Sequence, residues 1–139
     1  MKNHQQLISI FVALMVSGCA KTPAETFERW TGERLPFGLY QPRIAIELAS
    51  SDYVVGDLIV EGRISREAFL DYVKETGLTK QGHRIFSLPS SPIPAATWWQ
   101  PPSHPLEVFV KKVSSKGDWV RVVVWEEGKM FLWQDGPFE

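Results

Sequence analysis

The sequence predicts an α+β domain: a mainly antiparallel sheet of about five strands, one main helix and a short N-terminal helix. Three observations predict it. Residues 43–49 (RIAIELA) and 57–64 (DLIVEGRI) alternate apolar and polar side chains, which is the period of a half-buried strand. Residues 65–78 (SREAFLDYVKETGL) carry a helical period with both ends marked. Three more strand-like runs, 106–112, 118–126 and 129–135, complete the chain. Strands gathered around one main helix, without regular strand–helix alternation, point to α+β rather than to a parallel sheet.

The first helix begins at Thr22, whose hydroxyl suits the N-cap. Pro23 fits the first helical position, and Glu25 can complete a capping box. It carries Phe27 and Trp30 and stops near Gly32. Ile44, Ile46 and Leu48 then share one strand face, as do Leu58, Val60 and Ile64 in the next strand, with a joint around residues 50–52. Ser65 caps the main helix and Glu67 sits at its positive end. Ala68, Phe69, Tyr72 and Val73 form its apolar stripe, and Gly77 ends it, with Leu78 placed for a Schellman contact. A weak strand is expected over 84–88. Residues 89–105 (PSSPIPAATWWQPPSHP) contain six prolines in seventeen positions, which excludes a helix or a central strand and predicts extended, polyproline-like backbone.

The last two strands turn through EEGK, residues 126–129. A two-residue turn would hold Glu127 at a left-handed angle, whereas a three-residue loop asks this only of Gly128. The three-residue loop is therefore expected, with Trp125 opposite Lys129, Val124 opposite Met130 and Val122 opposite Leu132. It sorts the hairpin into an aliphatic face (Val120, Val122, Val124, Met130, Leu132) and an aromatic face (Trp119, Val123, Trp125, Phe131, Trp133, with Arg121 among them).

The residues spell out no reaction. His83 and His104 lack metal-ligand spacing, no serine lies in a nucleophile elbow, and VEGRIS has one glycine where a phosphate loop needs several. Asp52, Asp57 and Glu61 lie on or beside the second strand; paired carboxylates can do glycosidase work, but charges on the wet face of a strand are far commoner. We expect no catalytic set, no metal, no cofactor and, from 15 basic against 16 acidic side chains, no nucleic-acid partner. What remains is aromatic. Trp98 and Trp99 in the proline-rich loop, with Trp125 and Trp133 on the sheet, either complete the core of a small disulfide-free domain or form a platform for a protein or glycan partner. Neighbours on extended backbone point to opposite sides, so one of Trp98 and Trp99 is expected inward and the other largely exposed.

The N-terminus says where such a domain would work. Lys2 precedes LISIFVALMV, residues 7–16, an uncharged run worth roughly 15 Å of helix, too short to span a bilayer but suited to the centre of an export signal. Then comes VSGC, residues 16–19, ending on the single cysteine of the chain. This stretch resembles the lipobox of bacterial lipoproteins, with Val16 where leucine is commonest. FERWTGERLP (27–36) and WWQPP (98–102) are similar to patterns in small uncharacterised bacterial lipoproteins, which bring no activity with them.

The resemblance implies a signal peptide over residues 1–18, cleavage after Gly18 and acylation of Cys19. Residues 19–22 then form a very short tether and 23–139 a single domain. Ala20, in place of aspartate, favours sorting to an outer membrane, with the domain facing the periplasm. Loss of residues 1–18 removes Lys2 and leaves 14 basic against 16 acidic side chains, a net charge of −2. Several acyl chains would anchor the protein firmly in the bilayer. The expectation is a membrane-anchored, non-catalytic binding or structural component of the bacterial envelope, with an envelope protein or glycan as partner. The alternatives are an inhibitor or immunity-type lipoprotein that blocks an envelope enzyme or toxin, and a hydrolase built on Asp57 and Glu61.

Overall fold

A computed structural model describes residues 22–48, 55–82, 86–113 and 119–137. The residues expected to carry the signal peptide, Gly18, Cys19 and Ala20 lie outside them, as do Asp52, His83 and the turn at 50–52. The described chain is α+β and mostly antiparallel sheet, with helix α1 (Pro23–Thr31), strands β1 (Tyr40–Leu48) and β2 (Val55–Arg63), helix α2 (Arg66–Thr76), and strands β3 (Thr79–Lys80), β4 (Phe109–Val113), β5 (Trp119–Glu126) and β6 (Lys129–Pro137). Six strands form one sheet in the order β1-β2-β6-β5-β4-β3, and every neighbouring pair is antiparallel. That is one strand more than expected. The extra one is β3, two residues long and too short to show alternation; Thr79 pairs with Val110 and Lys80 with Phe109.

Both helices are set by local chemistry. The Thr22 hydroxyl accepts from the Glu25 amide at 3.2 Å, and Gly32 closes α1 at φ 73°, its amide donating to the Glu28 carbonyl. In α2 the Ser65 hydroxyl accepts from the Ala68 amide at 3.1 Å. Gly77 ends the helix at φ 74°, and the Leu78 amide donates to the Val73 carbonyl at 3.1 Å, with Leu78 itself buried.

The sheet register sorts the core into two layers. One row runs Ile44, Val60, Leu132, Val123, Phe109 across five strands, and the next holds Ile46, Leu58, Gln134 and Arg121. This face packs against Phe27 of α1 and Phe69, Tyr72 and Val73 of α2; the Phe69 and Phe109 rings meet edge-on at 5.5 Å. The opposite face carries Ala45, Ile59, Phe131, Trp133, Val122 and Val124, and it is buried too. The proline-rich segment covers it.

The middle of that segment, residues 93–99, turns rather than extends. The Ala96 amide donates to the Ile93 carbonyl and the Trp99 amide to the Ala96 carbonyl, two successive turns at 3.0 and 3.1 Å. Pro94 stands at the second position of the first turn, where its fixed φ is favourable. Turning every three residues brings Ile93, Ala96 and Trp99 down onto the sheet, all of them buried. The expected strand over 84–88 falls partly on residues outside the description, and residues 86–88 are irregular. Strand β4 starts at Phe109 rather than at 106, because Leu106 is exposed and Glu107 turns to Arg66 and Lys80.

The β5–β6 hairpin corrects the expected register. Its loop has two residues, with Glu127 at φ 50° and Gly128 at φ 82°, so Glu126 opposes Lys129, Trp125 opposes Met130, Val124 opposes Phe131 and Val122 opposes Trp133. The left-handed Glu127 costs roughly 1–2 kcal/mol. Against this, a primed two-residue turn matches the strand twist, and the Gly128 carbonyl accepts from the Ile64 amide at 2.9 Å. The aliphatic and aromatic faces therefore do not exist as expected. Val123, Trp125, Met130 and Leu132 face the helices, while Val122, Val124, Phe131 and Trp133 face the proline-rich segment.

Candidate functional site

The four tryptophans expected to meet a partner do not share a surface. Trp99 is 5% exposed; its indole N–H donates to the Pro89 carbonyl at 2.9 Å, and its ring meets Phe131 edge-on at 5.9 Å. Trp98 is half-buried and lies edge-on to Trp99 at 6.4 Å. The inward ring is thus Trp99, and Trp98 is less exposed than expected because it still packs on the same cluster. Trp133 is half-buried on that face, its indole donating to Asp57 Oδ1 at 2.8 Å. Trp125 is half-buried on the other face, donating to the Ile64 carbonyl at 2.9 Å, with the Arg66 guanidinium 5.2 Å from its ring centre. Three of the four indole N–H groups are thus used within the fold, and the rings hold loops to the sheet.

Asp57 and Glu61 do not converge. They flank Ile59 on β2, and Asp57 is engaged with Trp133. Burial raises the Asp57 carboxyl above its ordinary range; the Trp133 hydrogen bond lowers it in part, and Asp135 across the strand pair raises it further. His104 is exposed. Among the described residues no group of His, Cys, Asp and Glu could hold a metal ion, and no helix is long and apolar enough to cross a membrane.

Besides the surface ion pairs of Glu107 with Arg66 and Lys80, two charged constellations stand out among the described residues. The first is internal. Arg121, the lone charge in the run WVRVVVW, is fully buried. Its Nη1 and Nη2 donate to the two oxygens of Glu33 at 3.0 Å each, its Nε to Gln134 Oε1 at 2.8 Å, and its Nη1 also to the Tyr72 hydroxyl at 3.3 Å. The Phe27 and Trp119 rings stand 5.6 and 5.5 Å from its guanidinium carbon. A guanidinium of this kind, bidentate to one carboxylate and with a partner on every nitrogen, ties the α1–β1 loop, α2 and the sheet together. Burial raises the Tyr72 hydroxyl above its ordinary range, an effect Arg121 opposes.

The second is on the surface, where β1, β2 and β6 approach the β5–β6 turn. Gln41, Pro42, Arg43, Glu61, Gly62, Arg63 and Lys129 line a cleft of about 420 Å³. The register puts Arg43 opposite Glu61 and Arg63 opposite both Tyr40 and Lys129. Their side chains therefore leave the same face of the sheet, beyond the edge of the proline-rich cover. Among the described residues, none of the three cations lies within ion-pairing distance of a carboxylate. A bulge in β1 shapes the cleft: Gln41 and Pro42 oppose Gly62 alone, and Gln41 takes φ 49°. Two carboxylates stand against these three positive charges, Glu61 in the cleft and Glu126 opposite Lys129 across β5 and β6, which leaves a local excess of one positive charge although the whole chain carries a net −1. The sequence hides this grouping, since Arg43 and Lys129 meet only through the β1–β2–β6 order. Their shared parity on paired strands was the one available signal.

No family model matches this chain, and neither a curated protein nor a solved structure does.

Proposed function

We propose that the protein is a bacterial envelope lipoprotein that acts by contact, a non-catalytic binding or structural domain held at the bilayer by an acylated Cys19. The observation that carries this reading is the spacing between lipobox and fold. Helix α1 is capped at Thr22, three residues after Cys19. Three residues span about 10 Å at full stretch. A lipid on Cys19 therefore fixes the position of a structured domain rather than trailing it on a long tether. The surface supports a role in contact: the large rings are spent on packing, and the cleft at the β1–β2–β6 end gathers three cations that make no ion pair among the described residues.

Fractionation of a bacterium producing the full chain tests this. The wild-type protein should stay in the membrane pellet through high salt and alkaline carbonate and leave it only in detergent. Cys19→Ala should abolish that retention without changing the domain. Equal release of both proteins by salt or carbonate would defeat the reading.

A further inference from the structure

We propose that the cleft bounded by Arg43, Arg63 and Lys129 binds a negatively charged sugar, a saccharide unit bearing a carboxylate or a phosphate. As a component of an envelope glycan, this ligand rests on the reading above; the sugar chemistry itself rests only on the cleft. Four observations converge there. Arg63 and Lys129 are directly opposed across β2 and β6, a like-charge pair; Glu126 faces Lys129 from the other side, but nothing of opposite charge stands between Lys129 and Arg63 in the register, where an anion would relieve the repulsion. Guanidinium forks match the paired oxygens of carboxylates and phosphates, and Arg43 and Arg63 offer two of them around one opening.

The volume, about 420 Å³, falls in the range of small-molecule sites and exceeds what a bare anion fills. The walls suit a sugar body: Glu61 supplies an acceptor for hydroxyl groups. Tyr40, 67% exposed, is not part of the lining but is paired with Arg63 and so leaves the same sheet face beside the cleft. The left-handed Gln41 fits this picture, because backbone strain of that kind persists where the surrounding structure holds a surface in shape.

The test uses the full chain in a polyoxyethylene detergent, which carries no sugar, titrated calorimetrically with glucose 1-phosphate, glucuronate, glucose and inorganic phosphate. At least one of the two anionic sugars should bind saturably. Which one binds tells phosphate from carboxylate. Glucose should give no heat, and inorganic phosphate should bind more weakly than glucose 1-phosphate. Arg43→Ala and Arg63→Ala should each weaken binding by about tenfold or more. Tyr40→Ala should weaken the sugar and leave inorganic phosphate unchanged. All three side chains are exposed, so the variants should melt with the parent; Lys129→Gln repeats the test by removing the charge while keeping a polar side chain only one atom shorter. Silence with both anionic sugars would overturn the proposal, as would inorganic phosphate binding as tightly as the sugars or binding indifferent to Arg43 and Arg63. Vesicles of phosphatidylglycerol captured through these arginines, with no monosaccharide bound, would assign the cleft to lipid headgroups and overturn it equally.

Discussion

Replacing Glu33 with Ala removes the only carboxylate among the described residues that Arg121 touches. The guanidinium is 0% exposed and keeps Gln134 and the Tyr72 hydroxyl as partners, while two of its N–H groups lose theirs. Breaking a buried ion pair by deleting one member costs about 3–5 kcal/mol, because the remaining charge stays desolvated. Here the Glu33 side chain is 32% exposed, so water can follow it out and partly solvate Arg121. The expected loss is therefore about 2–3 kcal/mol. For a domain of this size that lowers the melting temperature by roughly 10 °C. Urea unfolding followed by tryptophan fluorescence measures it, with the m-value checked for constancy. The double replacement Glu33→Leu with Arg121→Met should recover only part of the loss, since it removes the desolvated charge but takes the Arg121 partner from the buried Gln134 and Tyr72 side chains. A Glu33→Ala midpoint equivalent to less than about 0.5 kcal/mol would show that the pair does not hold the α1–β1 loop to the sheet.

Further outcomes follow from the loop face and the strand pairing. Trp99→Ala empties a buried site under the proline-rich segment and should cost about 3–5 kcal/mol, while Trp98→Ala, at a half-buried ring, should cost about 1–2 kcal/mol; equal large losses in thermal melts would contradict the assignment of Trp99 as the anchor. Asp57 holds its proton more tightly folded than unfolded, so its contribution to stability falls as pH rises through the window above its ordinary 3.8. Asp57→Asn keeps an acceptor for Trp133 and should raise the urea midpoint at pH 7 but not at pH 3; an unchanged or lower midpoint at pH 7 would refute the sign. Gly56→Ala would drive a Cβ into the Glu47 carbonyl of the paired strand, and a loss of about 3 kcal/mol is expected in chemical denaturation.

The sequence was legible where structure is decided within a few residues. Thr22 with Glu25, and Ser65 with Gly77 and Leu78, mark helix ends through bonds to their own neighbours, and those bonds form. It was illegible where distant groups decide between options of similar local energy. Glu127 takes a left-handed angle because the hairpin twist and the Ile64 amide favour it, and that one-residue difference reverses which rings share a face. The proline-rich segment turns rather than extends because turning brings Ile93, Ala96 and Trp99 onto an apolar sheet face. Arg121 read as a stray charge on a strand, since its partner Glu33 lies 88 positions away. The cleft was hidden for the same reason, with its cations drawn from three strands.

Attachment of a structured domain to a bilayer through Cys19 is tested most directly by intact mass spectrometry of the protein extracted from bacterial membranes. The predicted result is a chain that begins at Cys19 and carries the added mass of a diacylglyceryl group and a further acyl chain. A chain that keeps residues 1–18, or one that starts at Cys19 or beyond with no acyl mass, would contradict it.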